Sequence, residues 1–93
     1  MPIEMINIGF GNCLATARVV VVARADSSPL KRLIENAWAE NRVIDATSGR
    51  KTRSVMLTDS NHVILSHQSP ATIRDKLIGR TEATAEGLDE DED

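Results

Sequence analysis

The chain has 93 residues, of which 41% are hydrophobic and 27% charged, an ordinary balance for one folded domain. No apolar run approaches the roughly 20 residues that span a bilayer, and the start, MPIEMINIGFGN, lacks the basic segment and apolar core of an export signal. Cys13 is the one cysteine, so an internal disulfide is excluded and a cytoplasmic location is expected. We expect Cys13 to be a small packed residue.

Charge is distributed unevenly along the chain. Residues 81–93 hold seven of the fourteen acidic residues and no Lys or Arg. Residues 1–80 carry all eleven basic residues against the remaining seven acidic ones, a net charge of +4. This pattern predicts a basic folded domain over 1–80 and an acidic disordered tail over 81–93. Such a body favours an anionic partner. The tail is either a solubilising end or a segment that competes with that partner for the basic residues, and the sequence supports both alternatives.

The first third of the chain predicts two strands. Residues 3–8 alternate apolar and polar side chains, and GFGN (9–12) breaks this pattern and predicts a bend. We expect Gly9, Gly11 and Asn12 to support the structure of this bend. Residues 18–24, RVVVVAR, form a β-branched run typical of a strand. Because Val19 to Val22 are consecutive, both faces of that strand should be covered, by a helix on one side or by another subunit.

A helix is predicted over residues 27–41. Ser28 can cap its free N–H groups, and Pro29 suits the first helical position. Apolar residues then recur with helical spacing and predict the face that packs on the sheet: Leu30, Leu33, Ile34, Ala37 and Trp38.

The second half predicts three strands and a helix. Strands are expected at 42–46, 54–59 and 62–66, the last two joined by a hairpin turn at 59–61, and a helix at 69–79 that ends at Gly79. The fold class is therefore α/β in the broad sense (α+β), a small, mostly antiparallel sheet with two helices.

Enzymatic motifs are poorly supported. GRKT (49–52) lacks the first glycine and the following helix of a phosphate loop, and GFGN lacks the third glycine of a dinucleotide fingerprint. His62 and His67 differ by an odd number, so a regular strand directs them to opposite faces, and Asp59 and Ser60 are typical turn residues. No catalytic site, metal site or cofactor is predicted.

A basic turn in IDATSGRKTRSV (44–55) is the strongest functional signal. Arg42, Arg50, Lys51 and Arg53 face one acid, Asp45. Gly49 would let a ligand approach the backbone, and the arginine fork suits phosphate oxygens. A solvated turn explains the same composition equally well. With one Phe, one Trp and no Tyr, the chain lacks a stacking platform for unpaired bases, so any nucleic acid bound is expected to be duplex.

Several segments together resemble the RemA family of small bacterial regulatory proteins, activators of extracellular matrix genes in the Bacillus lineage. The resemblance covers about residues 3–78, and its segments are INIG followed by FGN, Arg18, SPLKRLIENA, IDATSGRKTRSV, DSNHVILS and ATI. It implies a fold related to LytTR domains and a closed homo-oligomeric ring of about seven or eight subunits that carries double-stranded DNA on its outside. The regulated genes do not carry over.

The resemblance also implies site residues. The family's DNA-contacting arginines match Arg18 and Arg50, and a third matches Lys51, which keeps the charge but loses the bidentate fork. We add Arg53 as a DNA contact and Gly49 as a supporting residue, while Pro29 matches a position that is important in the family. Two alternatives stay open: a ring-forming scaffold whose basic turn binds an acidic protein, and a module that binds structured RNA.

Overall fold

Two β-sheets and two helices are formed by residues 3–79, the part of the chain that the computed structural model describes. A 3-10 turn, Thr16–Arg18, joins the second strand to the third. The α+β class with mostly antiparallel strands is confirmed; the predicted disordered tail lies outside the described residues. The elements are β1 Met5–Gly9, β2 Asn12–Ala15, β3 Val19–Arg24, α1 Ser28–Ala39, β4 Val43–Asp45, β5 Ser54–Thr58, β6 Val63–Ser66 and α2 Pro70–Leu77.

The larger sheet has the strand order β3-β5-β6-β4, with β4 parallel to β6 and the other pairs antiparallel. β1 and β2 form a separate antiparallel hairpin. The hairpin predicted between β5 and β6 is confirmed. β4 and β5 follow one another in the chain but are not paired, because β6 lies between them. Residues 46–53 are therefore a connection that crosses the end of the sheet.

Each face of the larger sheet is covered by different elements. On one face, Met56 and Ile64 pack with Ile8 of β1 and Ile73 of α2. On the other face, α1 packs Ala37 against Val55, Val63 and Leu65. Full burial of one of the larger apolar side chains stabilises the fold by about 1.5–3 kcal/mol. This packing holds in place the end of the sheet from which residues 46–53 project.

Both helices begin with a serine cap and a proline. The hydroxyl of Ser27 accepts a hydrogen bond from Leu30 N (3.4 Å), and that of Ser69 accepts one from Thr72 N (3.2 Å). The cap of α1 is thus Ser27, which has extended backbone angles, and not Ser28, which is already helical. Gly79, with φ +77°, follows α2 and confirms the predicted stop.

β3 is not covered on both faces within the single chain, and two other predictions of burial are wrong. Val20 is 67% exposed because β3 is an edge strand whose pairing with β5 shifts register between Val19 and Val21, which turns Val20 outward. Trp38 is 52% exposed because Ala37, its neighbour in α1, is the residue that packs against the sheet. Cys13 is exposed because Leu14, its neighbour in β2, is the one that faces the core. Within the described residues, no helix is long and apolar enough to cross a membrane.

Candidate nucleic-acid interface

Residues 47–53, here called the cationic loop, begin with a tight turn. Arg50 N donates a hydrogen bond to Thr47 O (3.0 Å), and the two residues between them, Ser48 and Gly49, have φ of 54° and 83°. These are the features of a type I′ turn, for which glycine is favoured. A Cβ on Gly49 would meet nothing within 4 Å, so the position needs glycine for its φ and not for lack of space.

The acid nearest to the cationic loop in sequence does not neutralise it. Asp45 Oδ1 accepts hydrogen bonds from Thr47 N (2.9 Å) and Thr47 Oγ1 (2.6 Å), which ties the carboxylate to the start of the turn. Within residues 3–79, neither Arg50 nor Lys51 forms an ion pair. Both exposed cations are therefore available to an external anion.

The β1–β2 turn lies against this loop and is built by the GFGN segment. Gly9, Phe10 and Gly11 have consecutive positive φ values of 114°, 54° and 79°. Asn7 Oδ1 accepts a hydrogen bond from Gly9 N (2.7 Å), and Asn12 Nδ2 donates one to Gly9 O (2.9 Å), as expected for the bend. These bonds hold a non-glycine residue, Phe10, in a left-handed conformation at the tip.

Phe10 is a platform for Arg50. The guanidinium carbon of Arg50 lies 5.5 Å from the centre of the Phe10 ring, within the range of a cation–π contact. The Phe10 ring packs in turn on His67, with ring centres 4.7 Å apart, and His67 is buried at the end of β6. The buried hydroxyl of Ser66 donates to Ile8 O (2.8 Å) and joins the hairpin to the larger sheet.

A groove beside the cationic loop brings in a cation that the sequence analysis missed. It has a volume of about 290 Å³ and is lined by Arg24, Asp26, Lys51, Thr52, Arg53 and Pro70; we call it the cationic groove. The β3–β5 register pairs Arg24 with Ser54, which places Arg24 next to Arg53 at the same end of the sheet. The sequence gives no direct signal for this placement. The apolar runs of β3 and β5 would indicate how the two strands align only if the strands were already known to be neighbours.

Arg24 already holds a carboxylate. Its Nη2 lies 2.8 Å from Asp26 Oδ2, and both side chains are more than 60% exposed. The hydrogen bond between them lowers the pKa of Asp26 from its ordinary value and raises that of Arg24. An exposed pair of this kind is weak, so a stronger anion can displace Asp26.

Arg18 lies away from the cationic loop. It precedes β3, whose start pairs with Thr58, whereas Arg24 ends β3 beside Ser54. The six residues of β3 separate the two ends by about 16 Å. Arg18 Nε is 2.6 Å from Asp59 Oδ1 at the β5–β6 turn, and Asp59 N donates to Arg18 O (2.9 Å). The structure thus brings Arg50, Lys51 and Arg53 together but leaves Arg18 at the opposite end of the strand.

Other polar candidates are structural in this fold. His62 Nδ1 and Ser60 Oγ are 2.9 Å apart within the β5–β6 turn, while His67 is buried at the other end of β6. Arg42 donates to Glu40 and to Asn61 O, which ties the start of β4 to that turn. Among residues 3–79, no group of three or more His, Cys, Asp or Glu is arranged to hold a metal ion. Pro29 lies in the first turn of α1, at the second helical position instead of the predicted first.

The sequence places the chain in a class of small regulatory proteins. The family model described as RemA-like, extracellular matrix regulatory protein A-like, matches residues 5–77. The chain belongs to this RemA-like family, as the resemblance predicted.

Similar proteins occur in distant bacteria. One from Geobacillus thermodenitrificans is 44% identical over 87 residues, covering 94% of this chain and 100% of its own length. One from Fervidobacterium nodosum is 55% identical over 74 residues (80% of each chain), and one from a Nostoc species is 49% identical over 78 residues (84% and 89%). Each bears a provisional name as a regulatory protein, and none of these names indicates catalysis.

Proposed function

We propose that this protein is a non-enzymatic transcriptional regulator that binds double-stranded DNA through phosphate contacts repeated around a homo-oligomeric ring. The observation that carries the proposal is the cationic loop, in which a type I′ turn projects Arg50 and Lys51 without a carboxylate partner inside the described chain. A phosphate backbone is the ligand that repeated, unneutralised cations fit best. Sequence selection would then rest on DNA shape and bendability more than on base edges.

Self-association is supported by exposed apolar side chains on both edges of the larger sheet. Val20 and Val21 lie on edge strand β3 and are 67% and 39% exposed, and Ile44 on edge strand β4 is 49% exposed. Contacts between two different edges are heterologous, and heterologous contacts close into rings when the rotation allows. The ring also solves the affinity problem, because a few phosphate contacts per subunit bind weakly at cellular salt, whereas linked contacts gain on the order of 100-fold.

Arg18 fits this arrangement as a second contact point. Its place at the far end of β3 would let one subunit grip the duplex at two positions about 16 Å apart. Membership of the family supports the regulatory role itself. Three further statements belong to the proposal: that the partner is DNA, that the protein is located in the bacterial cytoplasm, and that it is linked to biofilm matrix genes.

The test compares full-length proteins on a duplex of several helical turns. Wild type should bind, and the double variant Arg50→Ala/Lys51→Ala should bind at least tenfold more weakly while light scattering reports the same oligomer. Lys31→Ala/Arg32→Ala is the matched control, since it removes the same charge from two exposed residues of α1. Equal affinity of all three proteins would contradict the proposal. An oligomer that ignores DNA but binds an acidic protein would favour the scaffold alternative.

A further inference from the structure

The C-terminal segment of the chain carries the charge opposite to that of the cationic groove. Residues 81–93 carry seven acidic side chains and no basic one. The groove offers Arg24, Lys51 and Arg53 against a single acid, Asp26. This charge complementarity is local, because the exposed residues of α1 include Glu35 as well as Lys31 and Arg32.

We propose that the acidic C-terminal segment, residues 86–93, binds in the cationic groove of its own chain and excludes DNA from it. The segment acts as a mimic of the phosphate backbone, with closely spaced carboxylates in place of phosphates. The contact is an autoinhibitory one, and its effect on DNA rests on the function proposed above. The contact itself does not depend on that function.

Chain geometry permits the contact. Pro70, the first residue of α2, lines the groove, and the described chain ends just beyond the other end of the same helix, at Gly79. An eight-residue helix is about 12 Å long. An extended chain covers up to about 3.5 Å per residue, so four or five residues suffice to return to the groove. Residues 80–84 can provide this connection, which leaves six of the seven acids for the groove.

The groove already accepts a carboxylate of this kind. Arg24 Nη2 is 2.8 Å from Asp26 Oδ2 in a pair that is largely exposed, so the guanidinium can exchange one carboxylate for another or hold both. A second, less polar groove of about 420 Å³ continues from Arg24 and Pro70 along Val22 and Ala71 to Arg74. Leu88, the one large apolar residue of the segment, has an apolar surface there to contact.

Tethering makes a weak contact effective. A short link gives an effective concentration in the mM range. A segment that would bind with a Kd of about 1 mM if free would then lower the apparent DNA affinity about fivefold. Because the attraction is between exposed charges, salt should weaken it.

The contact can be captured by a carbodiimide, which joins a lysine amine to a carboxylate with loss of water and adds no spacer. In the full chain we expect amide links from Lys51 to residues 86–93, found by mass spectrometry, to exceed links from Lys31 to the same residues severalfold. Lys31 is the matched control because it is exposed on α1, on the opposite face of the sheet. Arg24→Ser should reduce the Lys51 links, whereas Arg32→Ser should not. Equal yields at Lys51 and Lys31 would overturn the inference.

The effect on DNA is measured with a full-length variant in which the six acids of the segment are replaced by their amides: Glu86→Gln, Asp89→Asn, Glu90→Gln, Asp91→Asn, Glu92→Gln and Asp93→Asn. This variant should bind a duplex about fivefold more tightly than wild type at low salt, and the gain should shrink in an Arg24→Ser background but not in a Lys31→Ser background. Lys51 links in a protein that binds no DNA would support the contact and refute the proposed function. DNA binding without preferred Lys51 links would support the proposed function and refute the contact.

Discussion

The guanidinium of Arg50 lies over the ring of Phe10, 5.5 Å from its centre, so the β1–β2 turn supports the most prominent cation of the cationic loop. Phe10 is itself fixed by its contact with the buried His67. The turn and the loop come from segments about 40 residues apart, and the larger sheet brings them together. Arg50 is therefore presented in a set orientation, which lowers the entropy lost when it binds an anion.

Replacing Phe10 with Leu should weaken DNA binding about two- to fivefold without unfolding the protein. The change keeps an apolar side chain but removes the aromatic face, and a cation–π contact at an exposed site is worth about 0.5–1 kcal/mol. Phe10→Tyr retains the face and should behave as wild type. Binding isotherms at one salt concentration check both. Equal losses for Leu and Tyr would mean that the ring does not act through Arg50.

Replacing Asp59 with Asn should strengthen DNA binding by up to about fivefold. Asp59 lies 2.6 Å from Arg18 Nε and competes with phosphate for that guanidinium, and exposed pairs contribute about 0–1 kcal/mol. The backbone bond from Asp59 N to Arg18 O is unaffected. The double variant Arg18→Ala/Asp59→Asn should show no gain over Arg18→Ala. A gain that persists without Arg18 would remove Arg18 from the interface.

The carboxyl group of Asp26 should titrate below its ordinary pKa of 3.8, because Arg24 donates a hydrogen bond to the charged form. A carboxyl whose pKa is lowered by folding stabilises the protein above the pKa of the unfolded chain, and this contribution is lost as pH falls through the folded pKa. The stability attributable to Asp26 should thus disappear below about pH 4. Carboxyl NMR titration checks the value, and in Arg24→Ser it should return to the ordinary range. An unchanged titration in Arg24→Ser would refute the pairing in solution.

Replacing Val20 with Glu should dissociate the oligomer without unfolding the subunit. Val20 is 67% exposed on edge strand β3, so the charge meets no cost inside the single chain but is buried in a contact between subunits. Light scattering should report a mass near 10.2 kDa, and the DNA affinity should fall on the order of 100-fold. Lys31→Glu, which also adds negative charge at an exposed site, should remain assembled. An intact ring in the Val20→Glu variant would move the interface elsewhere.

Much of the fold could be predicted from local sequence signals. Ser-Pro starts and helical periodicity place both helices, and β-branched runs place β3, β5 and β6. β2 was missed because its four residues, NCLA, carry no clear alternation and pair only with the adjacent β1. The order of strands could not be read, because the insertion of β6 between β4 and β5 is a long-range outcome of packing.

In the candidate site, too, residues that are neighbours in sequence could be predicted together, whereas residues brought together by strand pairing could not. The cationic loop was predictable, since Gly49, Arg50 and Lys51 are neighbours in sequence. Arg24 was treated as the end of a strand because its position beside Arg53 depends on the pairing of β3 with β5. Arg18 was grouped with the loop by family resemblance, and the fold separates it by the length of β3.

The central claim is tested most directly by the salt dependence of DNA binding. The logarithm of the binding constant is measured against the logarithm of the salt concentration for wild type, Arg50→Ala/Lys51→Ala and the Lys31→Ala/Arg32→Ala control on one long duplex. Each phosphate contact contributes about 0.9 to the slope, so the loop variant should lose about 1.8 per bound subunit while the control keeps the wild-type slope. Parallel lines for the loop variant and wild type would show that the cationic loop does not bind the phosphate backbone.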